Sequence, residues 1–543
     1  MLKNYLRIAY RSLMKMKVFS FINIFGLGIG MAAFLFIIHY VRFEKSYEDY
    51  NVNADNVYRV TLDIYNGAEY VMTDCETQAP LGPMLKERMP EVVDFVRMYG
   101  KDGLEEIRID DQKFLEGNIY FADPSAIEIF SLDVLKGNRT ALNAPYSAVI
   151  TSSIAKKFFG DKDPVGQSIQ IRKDLYKVTA LISDSPAGTH LKTSILLSHS
   201  TLTKENKWYS EQNWSNNNEF TYLLMVPGSD LAVFNDKLAK LSSELKDKID
   251  HSRFTAEPIK DIHLYSNKSF EPEVNGSIKI VYFMLIIAVF IIVIAWVNYV
   301  NLSTARAMDR AREVGIRKVM GSLKTQLIFQ FLSESVIVNV LAALLALFLF
   351  KAFLPVFRLL VGLSLPFSFS QDPIFWYLFG GLIFLGSVLS GVYPAFMLSS
   401  FQPAAVLKGK FQSSSHGQNL RKGLVVFQFG ATVILIICLG VVYQQIGFLR
   451  SFDLGMNIDQ TLVVRSPRIS GVDSVYKSSF QNLKTELLRN PAIEGIGQSD
   501  AFPGSNIHEL STTRISRLGK MPVKGTTSTI FLKRMRTLSR RCK

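Results

Sequence analysis

The segment IVYFMLIIAVFIIVIAWVNYV, Ile280–Val300, holds no charged residue. A bilayer core about 30 Å thick needs roughly 20 apolar residues in a helix to cross it. In hydrocarbon the backbone N–H and C=O groups find no water, so a run of this kind folds as a helix that satisfies them internally. Four more stretches qualify: Val18–Val41, Leu327–Leu354, Ile374–Leu398 and Leu424–Gly447. The Leu327–Leu354 run alone carries acid and base, Glu334 near its start and Lys351 near its end, which places its first turns at the interface. Val18–Val41 follows a basic leader, as a signal peptide would, but it is too long for an h-region and no A-x-A site follows it. It reads as a retained anchor.

A net charge of +14 invites a nucleic-acid reading, and the placement of the charge opposes it. Residues 1–17, 303–327 and 399–423 together hold fifteen basic residues and two acidic ones, whereas 355–373 holds Arg358 and Asp372. Basic residues confined to alternate short loops form the positive-inside pattern. The N-terminus, 303–327 and 399–423 are then cytoplasmic. Residues 42–279, 355–373 and everything after about 450 are outside. A long domain crosses regardless of its charge, so 42–279 is consistent with this. The expected partner is the lipid bilayer, with no nucleic acid.

The chain therefore divides into a leader helix (1–17), spans at 18–41, 280–302, 328–354, 374–398 and 424–447, an outside domain (42–279), cytoplasmic segments (303–327 and 399–423) and an outside C-terminal part (450–543). In 1–17, apolar and basic residues recur at helical spacing, the pattern of a helix lying on a membrane surface. Within 42–279, NVYRVTLDIY, SIQIRKDLYKVTALISD and EFTYLLMVP read as strands. QAPLGPMLKERMP and TSSIAKKFFG read as short helices, which makes this domain α+β. The fold class is an α-helical transmembrane bundle with a large α+β extracytoplasmic domain. His190 and His263 stand singly and read as ordinary surface or structural histidines. Cys75, Cys438 and Cys542 read as unpaired. No nucleophile–base–acid set or metal-ligand spacing stands out, so neither an enzyme nor a bound cofactor is expected.

RAREVGIRKVMGS, Arg310 to Ser322, sits between two spans. Taken as one helix over 303–327, it puts Ile316, Val319 or Met320, Leu323 and Leu327 on an apolar stripe. Arg310, Arg317 and Lys324 fall on another side, and Glu313 can pair with Arg317. Such a helix suits docking onto a soluble partner, or it serves as a basic anchor that fixes topology. The residues alone leave both readings open.

The stretch resembles the cytoplasmic loop of the MacB/FtsX family of ABC transporter permeases, which carries R-x-R-E-[IV]-G-[IV]-R-[KR]. Arg310, Arg312, Glu313, Val314, Gly315, Ile316, Arg317 and Lys318 match it here. NYLRIAYRSLMKMKVFSFINIFGLGIGMAAFLFI resembles the family's first helix and span. FEKSYEDYNVNADNVYRV and FSLDVLKGNRTALNAPYSAVITSSIAKKFFGDKDPVGQSI resemble its periplasmic core, and SGVYPAFMLSSFQPAAVLKG the end of its fourth span. The resemblance implies a multi-pass protein of a bacterial inner membrane with a cytoplasmic N-terminus. It implies a MacB-like periplasmic core, a separate ABC ATPase subunit, a permease homodimer or heterodimer and a possible periplasmic adaptor. It also implies ATPase coupling through Arg310, Arg312, Glu313, Gly315, Arg317, Lys318 and Gly321, with Glu334 near the partner interface. The other account of Glu334 is an interfacial acid paired with a loop arginine. No G-x-x-x-x-G-K-[ST] occurs in the sequence, so ATP is expected on the partner. The family otherwise includes regulators of periplasmic enzymes that do not transport.

Long members of this group have two repeats and eight spans. QNLRKGLVVFQFGATVILIICLGVVYQQIGFLRSFDLGMN, from Gln418, resembles the start of a second repeat. Five spans then give an outside C-terminus, a partial second periplasmic domain. From Arg514 onward there are ten basic residues and no acid. This ending fits a basic tail or the out-of-frame end, from near Met521–Gly525, of a truncated and non-functional permease.

Overall fold

The computed structural model describes residues 11, 14–100, 104–205, 213–249, 251–305, 314–362, 367, 372–399, 415–452, 462–464, 473–497, 511–512 and 529–530. Most of the leader helix, the first part of the 303–327 loop, and most of 399–423 and 450–543 lie outside them. The chain forms two units. One comprises 1–45 and 278–452, the other 46–277 and 453–543.

Among the described residues of the first unit, five helices are long and apolar enough to cross a membrane. They are α1 (Lys17–Lys45), α2 (Ile278–Ala305), α3 (Lys324–Val361), α4 (Pro373–Ser399) and α5 (Ser415–Ser451). Each runs past the apolar segment that forecasts it; at the ends of α1, α3 and α5, long basic side chains such as Lys17, Arg358 and Arg450 can reach polar surroundings while their stems stay apolar. The buried centre of α1–α4 includes Leu27, Met31, Leu35, Ile292, Ala342, Ala346, Phe350 and Phe379. Lipid tails are as apolar as leucine, so close packing and polar contacts hold such helices together. At Gly30 a Cβ would lie 2.7 Å from the Ala295 Cβ, so α1 and α2 approach there too closely for any side chain. Asn339, fully buried in α3, donates through Nδ2 to the Ser335 carbonyl (2.9 Å) and to Ser390 Oγ of α4 (3.2 Å). Tyr299 of α2 reaches Ser335 Oγ at 3.1 Å.

The second unit is built on a mixed sheet. Its strands are β1 (Val57–Asn66), β2 (Glu69–Asp74), β3 (Thr77–Gln78), β4 (Val92–Gly100), β5 (Glu105–Ile109), β6 (Gln112–Glu116), β7 (Ile119–Ala122), β8 (Val134–Gly137), β9 (Ser147–Thr151), β10 (Ser168–Ile171), β11 (Asp174–Ile182), β12 (Ile195–Ser198), β13 (Asn217–Met225) and β14 (Arg253–Pro258). Their order is β14-β1-β13-β4-β7-β12-β9-β11-β10-β5-β6, with β2, β3 and β8 paired to β1, β13 and β11. Burial alternates along β11, with Tyr176, Val178, Ala180 and Ile182 inside, as the two-residue period of a strand requires. Helix Leu231–Glu244 begins at Asp230, whose carboxylate accepts from the amides of Ala232 and Val233, a side-chain N-cap. That helix packs Phe234, Leu238 and Leu241 with Val60, Leu223 and Phe254 of the sheet.

Buried charge ties the strands together. Arg59 of β1, with no exposed surface, lies opposite Glu257 of β14 in register and also holds Glu271 at 2.6 Å. Arg97 of β4 grips Asp123, just past β7, with Nε and Nη2 both at 2.9 Å. His199 stands between that carboxylate and Glu219, whose Oε1 is 3.0 Å from Nε2. His190, which stands alone in the sequence, is also buried, with Nδ1 on Glu48 and Nε2 on the Tyr222 hydroxyl, both at 2.8 Å.

Burial alone would lower the His199 pKa, but the charges of Glu219 and Asp123 override it and hold it above the ordinary 6.5. The protonated ring therefore stabilises the fold fully below about pH 6.5, and this contribution is lost as pH rises through the raised value. Asp123 works in the other direction. Burial opposes its ionisation, Arg97 prevails and depresses its pKa, and its contribution is lost only in acid. The thermal stability of the full chain is expected to fall from about pH 6.5 upward, by roughly 1.4 kcal/mol per unit of raised pKa. His199→Gln should flatten that alkaline slope. An unchanged slope in the variant would place the titration elsewhere.

Candidate functional site

The connection between α2 and α3 is helical over 314–319, turns at Met320 and Gly321, and restarts at Lys324. A single helix over 303–327 is therefore corrected. The break is local chemistry. Gly321 takes φ +95°, a conformation that glycine adopts without a Cβ penalty. Its N–H bonds the Lys318 carbonyl, and the Ser322 N–H bonds the Arg317 carbonyl, both at 3.0 Å. Together they form the paired bonds of a Schellman cap. On the far side of the turn, Gln326 Oε1 accepts from the Leu323 N–H at 3.1 Å, which satisfies one free donor at the start of α3.

The turn splits the expected apolar stripe. Val314 is 2% exposed and shares a small core with Leu327 and Phe331 of α3 and Ala395 of α4. Gly315 is buried beside it. Leu327 thus faces inward, while Ile316, Val319, Met320 and Leu323 are exposed at 47%, 65%, 74% and 63%. Four large apolar side chains on one tight turn form a ridge rimmed by Arg317 and Lys318. Arg317 donates through Nη1 to Gln330 Oε1 of α3 at 2.6 Å, and Gln330 is itself buried. Burial and the neighbouring charge of Lys324 both push the Lys318 pKa down.

Of the expected site residues, the fold brings Gly315, Arg317, Lys318 and Gly321 onto this one turn. Arg310, Arg312 and Glu313 lie outside the described residues. Glu334 lies elsewhere: it is 8% exposed within α3, one turn beyond Gln330. Sequence reasoning missed Gln326 and Gln330, and it named Val314 only within the motif. Gln326 was findable as a glutamine three residues into a helix, given that the glycine at 321 ends the preceding one. Among the described residues no group of three or more His, Cys, Asp or Glu could hold a metal.

Val314→Asp is expected to cut the inward anchor and release the turn. Burying an unpaired carboxylate there costs several kcal/mol, read as faster proteolysis at Arg317 and Lys318 with the unfolding temperature of residues 46–277 unchanged. Equal protease resistance would show that Val314 does not hold the turn.

Residues 20–241 match the MacB-like periplasmic core domain, and residues 285–403 match the FtsX-like permease C-terminal domain. The chain is 22% identical over 262 residues to the "Macrolide export ATP-binding/permease protein MacB" of Bdellovibrio bacteriovorus, covering 48% of this chain and 38% of that protein. It therefore spans well under half the length of that relative. It is 20% identical over 428 residues to the "Uncharacterized ABC transporter permease YvrN" of Bacillus subtilis, covering 74% of this chain and 99% of that one. A solved domain of a permease protein from Porphyromonas gingivalis is similar at 17% identity and TM-score 0.33, over 38% of this chain and 92% of the domain. A periplasmic core domain and a permease domain, each falling on its own part of the chain, place this protein in the MacB/FtsX family of ABC transporter permeases.

Proposed function

We propose that this chain is the permease subunit of an ABC-type efflux or mechanotransmission system. ATP hydrolysis on a separate ATPase subunit moves the α2–α3 turn. The attached helices then carry that movement to the domain at 46–277 in the periplasm. The N-terminus and the turn are cytoplasmic in this reading, and the chain sits in an inner membrane as a dimer of permeases, with or without an adaptor.

One observation carries the proposal. Ile316, Val319, Met320 and Leu323 stand exposed on a segment whose other side is fixed to α3 and α4 through Val314. A basic anchor on the membrane surface would also bury an apolar face, so the reading rests on the ridge standing on a turn clamped to α3 and α4. A ridge of this kind at a loop tip suits a groove on a soluble partner, since apolar anchors supply most of the energy of an interface. The clamp beneath it suits transmission, because a ligand shifts a conformational equilibrium only by binding the two states unequally. ATP does so on the partner, and the ridge passes the difference on.

A tagged chain drawn from native membranes should bring an ATPase subunit with it. Val319→Glu combined with Met320→Glu is expected to lower that recovery about tenfold or more, the loss of a hot spot, while Val319→Leu keeps it. Undiminished recovery with the double variant would overturn the docking assignment. Absence of an ATPase with the unaltered chain would overturn the coupled permease reading.

A further inference from the structure

At the end of the bundle where α1 leads towards residue 46, charge and unsatisfied hydrogen-bonding groups collect between α1, α3 and α4. Arg42 of α1 grips Asp372 with two hydrogen bonds of 2.8 and 3.1 Å. The same carboxylate accepts from the Phe375 N–H at 3.0 Å and so caps α4. Asp372 is thus fully engaged. Glu44, the other acid at this end of α1, is bonded by Tyr40. Arg358 lies in the last turn of α3. Its Nε is buried and has no hydrogen-bond partner among the described residues. His39 has Arg42, Arg358 and Asp372 as its charged neighbours. It is 8% exposed, and its Nε2 also has no partner among the described residues.

An arginine Nε and a ring nitrogen, both buried and without a partner among the described residues, are costly at the edge of a membrane. Two such nitrogens suit an oxyanion brought from outside the described fold. The surroundings identify the source. The His39 ring meets Phe350 and Phe367 edge-on, at centroid distances of 5.8 and 5.2 Å. Phe36 packs against Phe350 and Phe357 at 4.8 and 4.9 Å. Leu359 and Leu360, beside Arg358, are 83% and 79% exposed. A free phosphate gains nothing from this apolar setting, whereas an acyl chain lies along it. We propose that His39 and Arg358 form a binding site for the phosphate diester of a phospholipid headgroup. Arg358 supplies the charge, since guanidinium groups match phosphate geometry. His39, with its proton on Nε2, supplies a second donor. The Arg42–Asp372 bridge holds the ends of α1 and α4 in position around them.

The test uses the full chain in detergent, washed free of lipid and then offered phosphatidylglycerol, diacylglycerol or inorganic phosphate, with native mass spectrometry to read what is retained. The unaltered chain should keep phosphatidylglycerol and not diacylglycerol. Arg358→Gln and His39→Phe should each weaken retention about tenfold, the loss of one charge-assisted hydrogen bond. Arg358→Lys and His39→Gln, which keep a charge or a donor, should lose less. Lys351→Gln, an exposed basic residue of the same helix, should change nothing. If His39→Phe does not fold, the Arg358→Gln and Arg358→Lys pair decides. Equal retention by Arg358→Gln would overturn the site. Loss with Arg358→Gln but not with folded His39→Phe would reduce it to an arginine snorkelling alone and would equally overturn it. Binding of inorganic phosphate without binding of phosphatidylglycerol would overturn the lipid assignment.

Discussion

Val314 shares its buried cluster with Leu327 and Phe331 of α3 and Ala395 of α4, and the behaviour of the α2–α3 turn follows from that contact. Full burial of a valine side chain is worth about 1.5–3 kcal/mol. Beside it, the Arg317–Gln330 hydrogen bond and the two cap bonds at Gly321 fix the remaining directions of the turn. Apolar side chains exposed on a loose loop would pay an ordering cost on binding. On a preset turn most of that cost is already met in the free protein. The same residues that stiffen the turn also direct Ile316, Val319, Met320 and Leu323 outward. Rigidity and exposure have one cause here.

The bundle continues this stiffness towards its other end. The Tyr299, Ser335, Asn339 and Ser390 contacts link α2, α3 and α4 at one level. Polar contacts of this type in a membrane average about 0.6 kcal/mol and reach about 1–2. Their value lies in direction, since each fixes the rotation of a helix as well as its distance. Farther along, Arg42 and Asp372 join α1 to the start of α4. The helices therefore have fixed relations at both ends.

The spans were legible because a membrane imposes a length and an absence of charge that few other structures share. The α+β character of 46–277 was legible from alternation in segments such as β11. The strand order was not, because a mixed sheet of this size depends on pairings between distant segments, and local pattern does not record them. Nothing in the sequence pattern marked Arg59, Arg97 or His199 as buried. They are buried because partners remote in sequence, among them Glu257, Asp123 and Glu219, neutralise them. At the turn, the expected period was wrong. Reading one helix through 303–327 put Leu327 beside Ile316, whereas the glycine at 321 ends one helix and lets the next begin in a new direction. Glu334, read from the sequence as lying near the start of a span, is buried within α3.

The central claim is that the turn and the ends of the helices beneath it move as one body. Pulsed electron–electron spin resonance measures this directly. Labels at Ser322→Cys on the turn and Leu385→Cys on α4 would be placed in a chain whose three native cysteines are serine, purified with its ATPase. The account predicts the same distance distribution without nucleotide and with a non-hydrolysable ATP analogue. A nucleotide-dependent shift of about 5 Å, the size of a one-turn slip between elements, would contradict it, because the turn would then move independently of the bundle it is supposed to drive.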